Sequence, residues 1–422
     1  MSGKKEAVIG VIGLGGRGRG MMRTLLAVDN TKVTAVCDKY EDRAENAQKI
    51  AEEISGIRPD AYTDYHELIK RDDITAVMIC TTWITHIKIA IDCMKAGKDV
   101  AIEVGGAASI EECWDLVKTS QETGKFCMFL ENCCYAKNEL AVFNMERQGH
   151  FGEIVHAQGG YQHDLRKEIA MGVENRHGRL RNFMNRNGEL YPTHQLGPIA
   201  KLLRINRGNR MLTLTSMSSK SRGLNAWIKE RKGEDDVNAD YAFTQGDIVT
   251  TMIKCAHGET ICLIHDCSLP RVYSRNGRVQ GTNGIWMEDG AHIYLEKDPL
   301  NPDKKLDVWE TWDSFEPYEE AFRHPLWKEY INNGVKEGHD GIDYLVLSAF
   351  VDTILNEITP PIDVYDMASW MVITALSEQS VAMGSMPVPI PDFTNGAWIE
   401  REPFRRSKYC LEEVCEECFD NE

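Results

Sequence analysis

The feature that most constrains the fold is a regular alternation of apolar runs and amphipathic segments between residues 7 and 130. Short β-rich runs predict strands, and the segments between them carry apolar residues at helical spacing. Strands that alternate with helices of about 10–15 residues are typical of a parallel, doubly wound sheet. We therefore predict an α/β domain, with strands at 8–12, 32–37, 75–81, 98–103 and 126–130 and helices at 18–28, 41–54, 85–96 and 109–122.

The first predicted strand runs directly into a glycine-rich loop. Gly13, Gly15 and Gly18 satisfy the G-x-G-x-x-G pattern, in which glycines permit a tight turn and a close approach to a pyrophosphate at a helix N-terminus. Asp38 follows at the end of the second strand, where an acidic residue binds ribose hydroxyls and repels a 2′-phosphate. The pattern predicts NAD as the cofactor. Arg17 and Lys39 weaken the preference over NADP without reversing it.

Beyond about residue 150 the pattern changes to longer β-rich runs separated by turn signals. This favours a second, α+β domain with an open antiparallel sheet and helices. Its two late helices, near 341–357 and 364–383, would cover the sheet or pack back on the first domain. We divide the chain into a Rossmann domain, 1–150, and a substrate-binding and oligomerisation domain, 151–422. The predicted strands are 154–161, 212–219, 247–255, 259–268 and 278–281.

Three of the predicted parallel strands end in polar or glycine-rich residues, at 81–86, 103–106 and 131–132. In open parallel sheets, ligands bind beyond the carboxyl ends of the strands. His86 fits a helix-start residue and a cofactor contact equally well, and Trp83 is expected to form a wall of the cleft. The irregular stretch 163–190 is long for a loop in a compact domain, which indicates a functional segment.

The composition excludes several classes of function. A formal charge of −17 repels phosphate backbones and anionic lipid, so nucleic acid and membrane surfaces are poor candidate partners. No apolar stretch approaches the roughly 18–20 residues that cross a bilayer. Lys4 and Lys5 precede an apolar run as in a signal peptide, but glycines interrupt that run and no small-x-small cleavage site follows it. We expect a cytoplasmic protein.

The 13 cysteines, an odd number scattered through predicted core segments, indicate reduced thiols and not a disulfide framework. Cys410, Cys415 and Cys418 have a spacing that a zinc site could use, but an obvious fourth ligand is missing among the surrounding glutamates. We therefore expect no metal, and a loose acidic tail at the C-terminal end.

Two motifs of the second half are more specific than the glycine loop: GGYQHD at 159–164 and YPTH at 191–194. With the Rossmann half and the segments 185–194, 246–251 and 391–396, they resemble the NAD-dependent glycosidases of glycoside hydrolase family 109, typified by bacterial α-N-acetylgalactosaminidase. That family belongs to the glucose-fructose oxidoreductase/inositol dehydrogenase superfamily. The likeness covers about residues 7–400 and implies hydrolysis of terminal α-N-acetylgalactosamine or a related amino sugar.

The resemblance also implies two sets of site residues. Arg181 is an alternative to Arg179, and the segment 83–86 departs from the family pattern at its middle residues. The residues that match cofactor positions are Gly16, Arg17, Asp38, Trp83, Ile84, Thr85, His86, Glu103, Val104 and Asn132. Those that match substrate positions are Tyr161, Arg179, Tyr191, Pro192, Thr193, His194 and Tyr273.

One departure from the superfamily pattern distinguishes the expected glycosidase from the alternative of an oxidoreductase. Superfamily oxidoreductases normally carry Glu-Lys-Pro after the fifth strand, with the lysine as proton shuttle, whereas this chain has Glu103-Val104-Gly105. The missing lysine argues against the alternative of a sugar or polyol dehydrogenase with net NADH release. The implied glycosidase reaction is transient oxidation of the sugar at C3 by NAD⁺, loss of the C2 proton, departure of the C1 aglycone, addition of water and re-reduction.

Tyr161, Tyr191 and His194 are the expected catalytic residues. His194 is the preferred acid/base because its unperturbed pKa of about 6.5 suits proton transfer near neutrality. From the sequence alone, a hydrogen-bonded structural histidine is an equal alternative. The tyrosines would pass protons or hold sugar hydroxyls, and the residue that takes the C2 proton stays open. A third alternative, an NAD-loaded binding protein, is disfavoured by this concentration of proton carriers. Because an open sheet has a face to bury, we also expect a homo-oligomer.

Overall fold

The computed structural model describes residues 5–303, 311–336, 338–401 and 406–419. The first half of the chain alternates strands and helices as the sequence predicts. Its elements are β1 (Ala7–Ile12), α1 (Gly16–Leu25), β2 (Thr31–Cys37), α2 (Glu41–Ser55), β3 (Asp60–Tyr62), α3 (Tyr65–Ile69), β4 (Ala76–Ile79), α4 (Trp83–Lys95), β5 (Asp99–Ile102), α5 (Ile110–Thr123), β6 (Cys127–Phe129) and α6 (Lys137–Arg147).

These strands form a parallel sheet in the order β3-β2-β1-β4-β5-β6. The α/β prediction is confirmed, although the short elements β3 and α3 were not predicted. Helix α5 begins as expected, because Ser109 Oγ accepts a hydrogen bond from the Glu112 amide. The strand order reverses beside β1. In sheets of this kind, the ligand crevice lies at such a point, here beyond the carboxyl ends of β1 and β4.

The second half begins with a long strand and is richer in short elements than the sequence predicts. Its elements are β7 (Ile154–Gln162), α7 (Arg166–Ala170), α8 (Arg179–Asn185), α9 (Thr193–Leu202), β8 (Met211–Ser218), α10 (Gly223–Lys232), β9 (Ile248–Cys255), β10 (Thr260–Asp266), β11 (Arg278–Gly281), β12 (Gly284–Met287), β13 (His292–Leu295), β14 (Asp313–Ser314), α11 (Glu316–Ala321), α12 (Pro325–Asn332), α13 (Ile342–Asn356), α14 (Val364–Ala382) and β15 (Val388–Pro389).

Within the described residues, the strands of the second half form one sheet in the order β14-β13-β12-β11-β7-β10-β9-β8-β15. The expected open sheet is present, but it is mixed and not purely antiparallel. Strand β7 pairs with β10 in parallel, whereas the other pairs are antiparallel. A parallel pair needs a long crossover connection, and the chain between β7 and β10 supplies one that includes α9.

The two late helices, α13 and α14, pack against elements of the first half. Helix α13 lies against α1, and α14 lies against α5 and β6. Backbone hydrogen bonds extend this contact, from the Ala107 amide to the Met371 carbonyl and from the Phe129 amide to the Ile362 carbonyl. Elements from both halves are therefore held together around the crevice.

The C-terminal segment is not a loose tail. Cys410 and Cys415 are buried, and Tyr135 Oη donates a hydrogen bond to the Tyr409 carbonyl. The expectation was wrong because apolar and thiol side chains between the glutamates dock on the body of the protein. All 13 cysteines lie among the described residues and are free thiols. In the described part of the chain, no helix has the length and apolar character needed to cross a bilayer.

Candidate active site

The glycine loop forms a narrow cradle at the N-terminus of α1. A Cβ atom on Gly18 would lie 1.9 Å from the Gly13 carbonyl oxygen, so this contact tolerates only hydrogen. Gly13 has a φ of +93°, a conformation that favours glycine. A Cβ on Gly16, by contrast, would meet nothing within 4 Å. The loop thus packs tightly on its inner side and leaves its outer side open to a ligand, which fits a pyrophosphate at a helix N-terminus.

Asp38 lies where the sequence predicts, at the end of β2 beside this cradle. One oxygen of its carboxylate accepts a 2.7 Å hydrogen bond from the Leu14 amide, and the other accepts a 3.0 Å bond from the Tyr40 amide. These bonds fix the carboxylate relative to the glycine loop. A carboxylate oxygen can accept more than one hydrogen bond, so ribose hydroxyls can still be bound here.

We predict that Gly18→Ala lowers NAD affinity at least about tenfold and also lowers the melting temperature, because the new methyl group must push the loop away from Gly13. Gly20→Ala is the matched control in the same helix. A Cβ there meets nothing within 4 Å, and alanine favours a helix over glycine by about 1 kcal/mol. Cofactor titration and thermal melts of both variants test this. Equal NAD affinity in the two variants would contradict the predicted cradle.

Residues 83–86, at the start of α4, differ in their burial and in the groups that they contact. Trp83 packs on Gly105, where a Cβ would lie 2.4 Å from the indole, and its ring lies 5.4 Å from that of Tyr191. His86 is buried, and its Nε2 lies 2.9 Å from the Thr81 carbonyl. Burial lowers the pKa of His86 to about 4, so the ring is neutral. Ile84 is about half exposed, and Thr85 Oγ1 donates a hydrogen bond to the Thr82 carbonyl. Trp83 thus lies between Gly105 of the first half and Tyr191 of the second half.

Arg17 connects the glycine loop to the late helices. Its Nε donates a 2.6 Å hydrogen bond to Glu103, and its two terminal nitrogens bind the Asp343 carboxylate on α13. Asn132 Nδ2 donates a 2.7 Å bond to the same carboxylate. The adjacent Val104 is buried, and its amide donates to Glu103. Asp343 was not predicted from the sequence, yet it links two expected cofactor residues.

The irregular stretch 163–190 folds into α7, α8 and a connecting turn that reaches the first half. Arg176 binds the Asp42 carboxylate with both terminal nitrogens, and Arg43 donates to the Asn175 carbonyl. Both contacts are at the start of α2, close to Asp38. The stretch therefore spans from the start of α2, near Asp38, to the aromatic cluster described next.

Aromatic rings from the second half form a cluster that faces Trp83. The Tyr161 ring lies 4.3 Å from Tyr191 and 5.4 Å from His194, and the Tyr191 and His194 rings are 4.9 Å apart. Tyr273 lies at the rim, 6.4 Å from Tyr161 and about half exposed. The expected substrate residues are thus brought together. Pro192 and Thr193 lie at the start of α9 and aim His194 into the cluster.

Arg179, and not Arg181, reaches this cluster. Its guanidinium lies 5.2–5.8 Å from the rings of Trp83, Tyr161 and Tyr191, and its Nε is 2.9 Å from Glu168. Arg181 is exposed on the other side of α8. Because Arg179 is largely enclosed by aromatic faces, it holds a positive charge inside a mostly apolar wall.

A buried ion pair underlies the cluster. His194 Nδ1 lies 2.7 Å from Glu131 Oε1, and the Glu131 side chain is fully buried. Burial alone would lower the pKa of His194, but its interactions with Cys133 and Glu131 outweigh burial and raise that pKa to about 10. Burial would raise the pKa of Glu131, but the His194 charge lowers it below the usual range. At neutral pH the pair is an imidazolium held by a carboxylate, so the expectation of a histidine with a pKa near 6.5 was wrong.

We predict that Glu131→Gln lowers the pKa of His194 and destabilises the protein by about 3 kcal/mol at pH 7. The raised pKa contributes stability that is complete below the unfolded value of about 6.5 and is lost as the pH rises through about 10. The difference in melting temperature between wild type and variant should therefore shrink between pH 7 and 10. Glu67→Gln breaks an exposed 2.6 Å pair with Lys70 and should have almost no effect. A difference that stays constant over this pH range would contradict the ion pair.

A second histidine of the cluster, His163, has a lowered pKa, whereas the pKa of His194 is raised. His163 Nδ1 lies 3.2 Å from Tyr161 Oη. Burial, together with the positive charge of Arg179, lowers the pKa of His163 below its usual value. Burial raises the pKa of Tyr161 to about 12 and that of Tyr191 well above its usual range. At neutral pH the cluster therefore combines a charged imidazolium, a neutral imidazole and two neutral phenols.

Sequence reasoning assigned no role to Glu131, His163 or Asp343. Glu131 and His163 stand in segments that were singled out, at the end of β6 and inside the GGYQHD motif, so a local signal existed for both. Asp343 lies on α13, far along the chain, and the fold brings it to Arg17, from which it accepts a hydrogen bond. Sequence motifs extend over a few residues, so no motif connects Asp343 to the glycine loop.

The fold and the cradle define the class of protein. Residues 8–130 match a family described as "Oxidoreductase family, NAD-binding Rossmann fold". Among solved structures, an NAD-binding oxidoreductase from Klebsiella pneumoniae aligns with a TM-score of 0.69 at 16% identity, covering 92% of this chain and 100% of that one. A levoglucosan dehydrogenase in complex with NADH and levoglucosan aligns with a TM-score of 0.66 at 17% identity, covering 92% and 100%. At such low identity these structures establish the fold.

The second half identifies the family. Residues 135–400 match the description "Glycosyl hydrolase 109, C-terminal domain". An α-N-acetylgalactosaminidase from Tannerella forsythia is 38% identical over 95% of this chain and 90% of its own length. A glycosyl hydrolase family 109 protein from Solibacter usitatus is 40% identical over 94% of this chain and 90% of its own length. The chain therefore belongs to glycosyl hydrolase family 109, and the resemblance found in the sequence is confirmed.

Proposed function

We propose that the protein is an NAD-dependent glycosidase that releases terminal α-N-acetylgalactosamine or a related amino sugar. The observation that carries this proposal is the pairing of an NAD cradle with a cluster that holds both a charged and a neutral imidazole. Relatives named α-N-acetylgalactosaminidase, from Tannerella forsythia and Shewanella oneidensis, supply the sugar and the anomer. Their 38% identity over most of the chain supports the same reaction class here.

The residues around the cradle fit NAD. The glycine loop would hold the pyrophosphate, Asp38 the ribose hydroxyls, and the network of Arg17, Glu103 and Asn132 would border the nicotinamide end. When bound, NAD supplies a reversible acceptor for the hydride of the sugar C3. The protein's own task is then to position the sugar, exclude water and move protons.

His194 is proposed as the acid that protonates the departing aglycone oxygen. The Glu131 carboxylate keeps a proton on the imidazole, so the acid is loaded at neutral pH. After elimination at C1 and C2, the same imidazole would take a proton from the incoming water. Burial around the pair strengthens the electrostatic interaction, because little solvent screens it.

His163 is proposed as the base for the C2 proton, acting through Tyr161. Its neutral imidazole lies 3.2 Å from Tyr161 Oη, so the phenol can pass its proton to His163 as it takes the proton from C2. This relay replaces the lysine that dehydrogenases of the superfamily use. Arg179 and Tyr191 would hold sugar hydroxyls against Trp83, and Tyr273 would contact the substrate at the rim.

The test uses the purified protein with a nitrophenyl α-N-acetylgalactosaminide, with and without added NAD⁺, while nitrophenol and reduced nicotinamide are followed together. We expect nitrophenol without accumulation of NADH. Accumulation of NADH without nitrophenol would overturn the proposal in favour of a sugar dehydrogenase, the fold class of the structural neighbours. If both signals are absent, the β anomer and other amino sugars are tested with the same assay before the glycosidase is rejected.

We also propose a homo-oligomer that buries the open face of the second sheet. Leu212, Met217 and Met252 are exposed large apolar side chains on neighbouring strands β8 and β9 of that sheet. In a two-fold dimer the same surface of both subunits is buried, so an apolar patch can pack on its own copy. Light scattering should show a dimer or larger assembly, and Met217→Lys should shift it toward the monomer. A monomeric wild type at micromolar concentration would contradict this.

The proposed partner is a small carbohydrate, since the strongly acidic charge disfavours nucleic acid and anionic membrane. A cytoplasmic location is proposed because free buried thiols suit a reducing compartment. Fractionation of the producing cells tests the location.

A further inference from the structure

Three metal-ligand side chains converge beneath the aromatic cluster. Glu131, Cys133 and His194 each place one donor atom so that all three atoms lie within 4.8 Å of one another. Glu131 and Cys133 come from the turn after β6, and His194 comes from the first turn of α9. Among the residues that the structure describes, this is the one group of histidine, cysteine and carboxylate ligands with such geometry.

The trio has coordinating capacity that the protein itself does not use. The second carboxylate oxygen of Glu131, Oε2, is buried and has no hydrogen-bond partner. Cys133 is 3% exposed, and its thiol lies 3.6 Å from the side-chain oxygen of Asn132 and interacts with the His194 ring. None of the steps proposed above uses this thiol. The fold therefore holds the three side chains close together and leaves one buried carboxylate oxygen, Glu131 Oε2, without a partner.

We propose that Glu131, Cys133 and His194 form a site for Zn²⁺, with the fourth coordination position open toward the sugar pocket. Thiolate, imidazole and carboxylate are the ligands of zinc, at about 2.0–2.3 Å, so tetrahedral ligand atoms lie roughly 3.3–3.6 Å apart. Small side-chain movements bring the three atoms from their present separations to these values. Hard cations prefer a shell of oxygen ligands, so Mg²⁺ and Ca²⁺ do not fit a site with one carboxylate.

The zinc ion inhibits the reaction, a consequence that rests on the proposed function. A zinc ion on one ring nitrogen of His194 occupies the lone pair of that nitrogen, while the other nitrogen keeps its hydrogen. The ring then has no lone pair left with which to take a proton from water. Zinc is accordingly an inhibitor, and a chelator restores turnover.

The binding test uses the full-length NAD-loaded protein, freed of metal by a chelator, and competition with a chromophoric zinc indicator. The alternative zinc ligands are the thiols of Cys410, Cys415 and Cys418, so Cys415→Ser is the matched control. We expect Cys133→Ser and Cys133→Ala to weaken the tightest zinc equivalent by at least about tenfold and Cys415→Ser to leave it unchanged. The reverse pattern, or no zinc uptake by the wild type, would overturn the site. Uptake of Mg²⁺ in competition with zinc would also overturn it.

A second readout is spectroscopic and reports the zinc ligand directly. Co²⁺ in place of zinc should give the wild type a sulfur-to-cobalt absorption band, which Cys133→Ser removes and Cys415→Ser retains. For each protein, the turnover rate with zinc is then divided by the rate without zinc. We expect zinc to inhibit the wild type and not Cys133→Ser. Equal inhibition of both proteins would show that zinc inhibits at another site. If the protein hydrolyses no glycoside at all, the proposed function fails, whereas the binding and absorption results still decide the metal site.

Discussion

Replacing His194 with alanine should lower kcat for glycoside hydrolysis by about 10³-fold while NAD content and fold are preserved. The imidazolium is the one charged acid of the cluster that is paired with a buried carboxylate, and its raised pKa keeps the proton in place at neutral pH. Removing it leaves the departing aglycone oxygen without a proton donor. Steady-state kinetics with co-purified NAD measured in each preparation test this.

The dependence on the leaving group makes this prediction more specific. A nitrophenolate leaves readily without protonation, whereas an alkoxide does not, so His194→Ala should lose more activity on an alkyl glycoside than on a nitrophenyl one. His156→Ala is the matched control, since His156 is a half-buried histidine on β7 that contacts Thr260. An equal loss on both substrates would show that His194 positions the sugar and does not act as the acid.

The local parts of the fold could be predicted from the sequence because their causes are local. A glycine pattern after a β-rich run, an acidic residue at the next strand end and Ser109 at a helix start each act over a few residues. The mixed sheet could not be predicted in the same way. A β-rich run has the same pattern in a parallel and an antiparallel pair, and the β7–β10 pairing depends on the long connection between the two strands.

In the candidate site, too, the local motifs could be predicted from the sequence, whereas contacts between distant residues could not. The motif around His194 was recognisable, but its charge state was not, because Glu131 lies 63 residues earlier in the chain. His163 was within a quoted motif, yet its role depends on Tyr161 Oη pointing at its ring. The C-terminal glutamates and cysteines were read as a loose tail because composition does not reveal docking. Arg147 Nε donates to the Glu412 carbonyl and helps to hold this segment in place.

Replacing His163 with glutamine, or Tyr161 with phenylalanine, should lower kcat by about 10²–10³-fold through loss of the base. The two changes break the same relay at its two ends, so the double variant should lose little more than either single one. Because the wild-type His163 must be neutral, activity should fall as the pH drops through a value below 6.5. It should fall again as the pH rises through about 10, where His194 loses its proton.

Deuterium exchange at the sugar C2 separates the base from the acid. In D₂O, the wild type should place deuterium at C2 of the released sugar. His194→Ala should still exchange C2 in the intact glycoside, because the base acts before the aglycone departs, but should release little product. Tyr161→Phe and His163→Gln should suppress exchange and release together. If Tyr161→Phe exchanges C2 as fast as the wild type, another group is the base, and the 3.2 Å contact between His163 and Tyr161 serves to orient the phenol against the sugar.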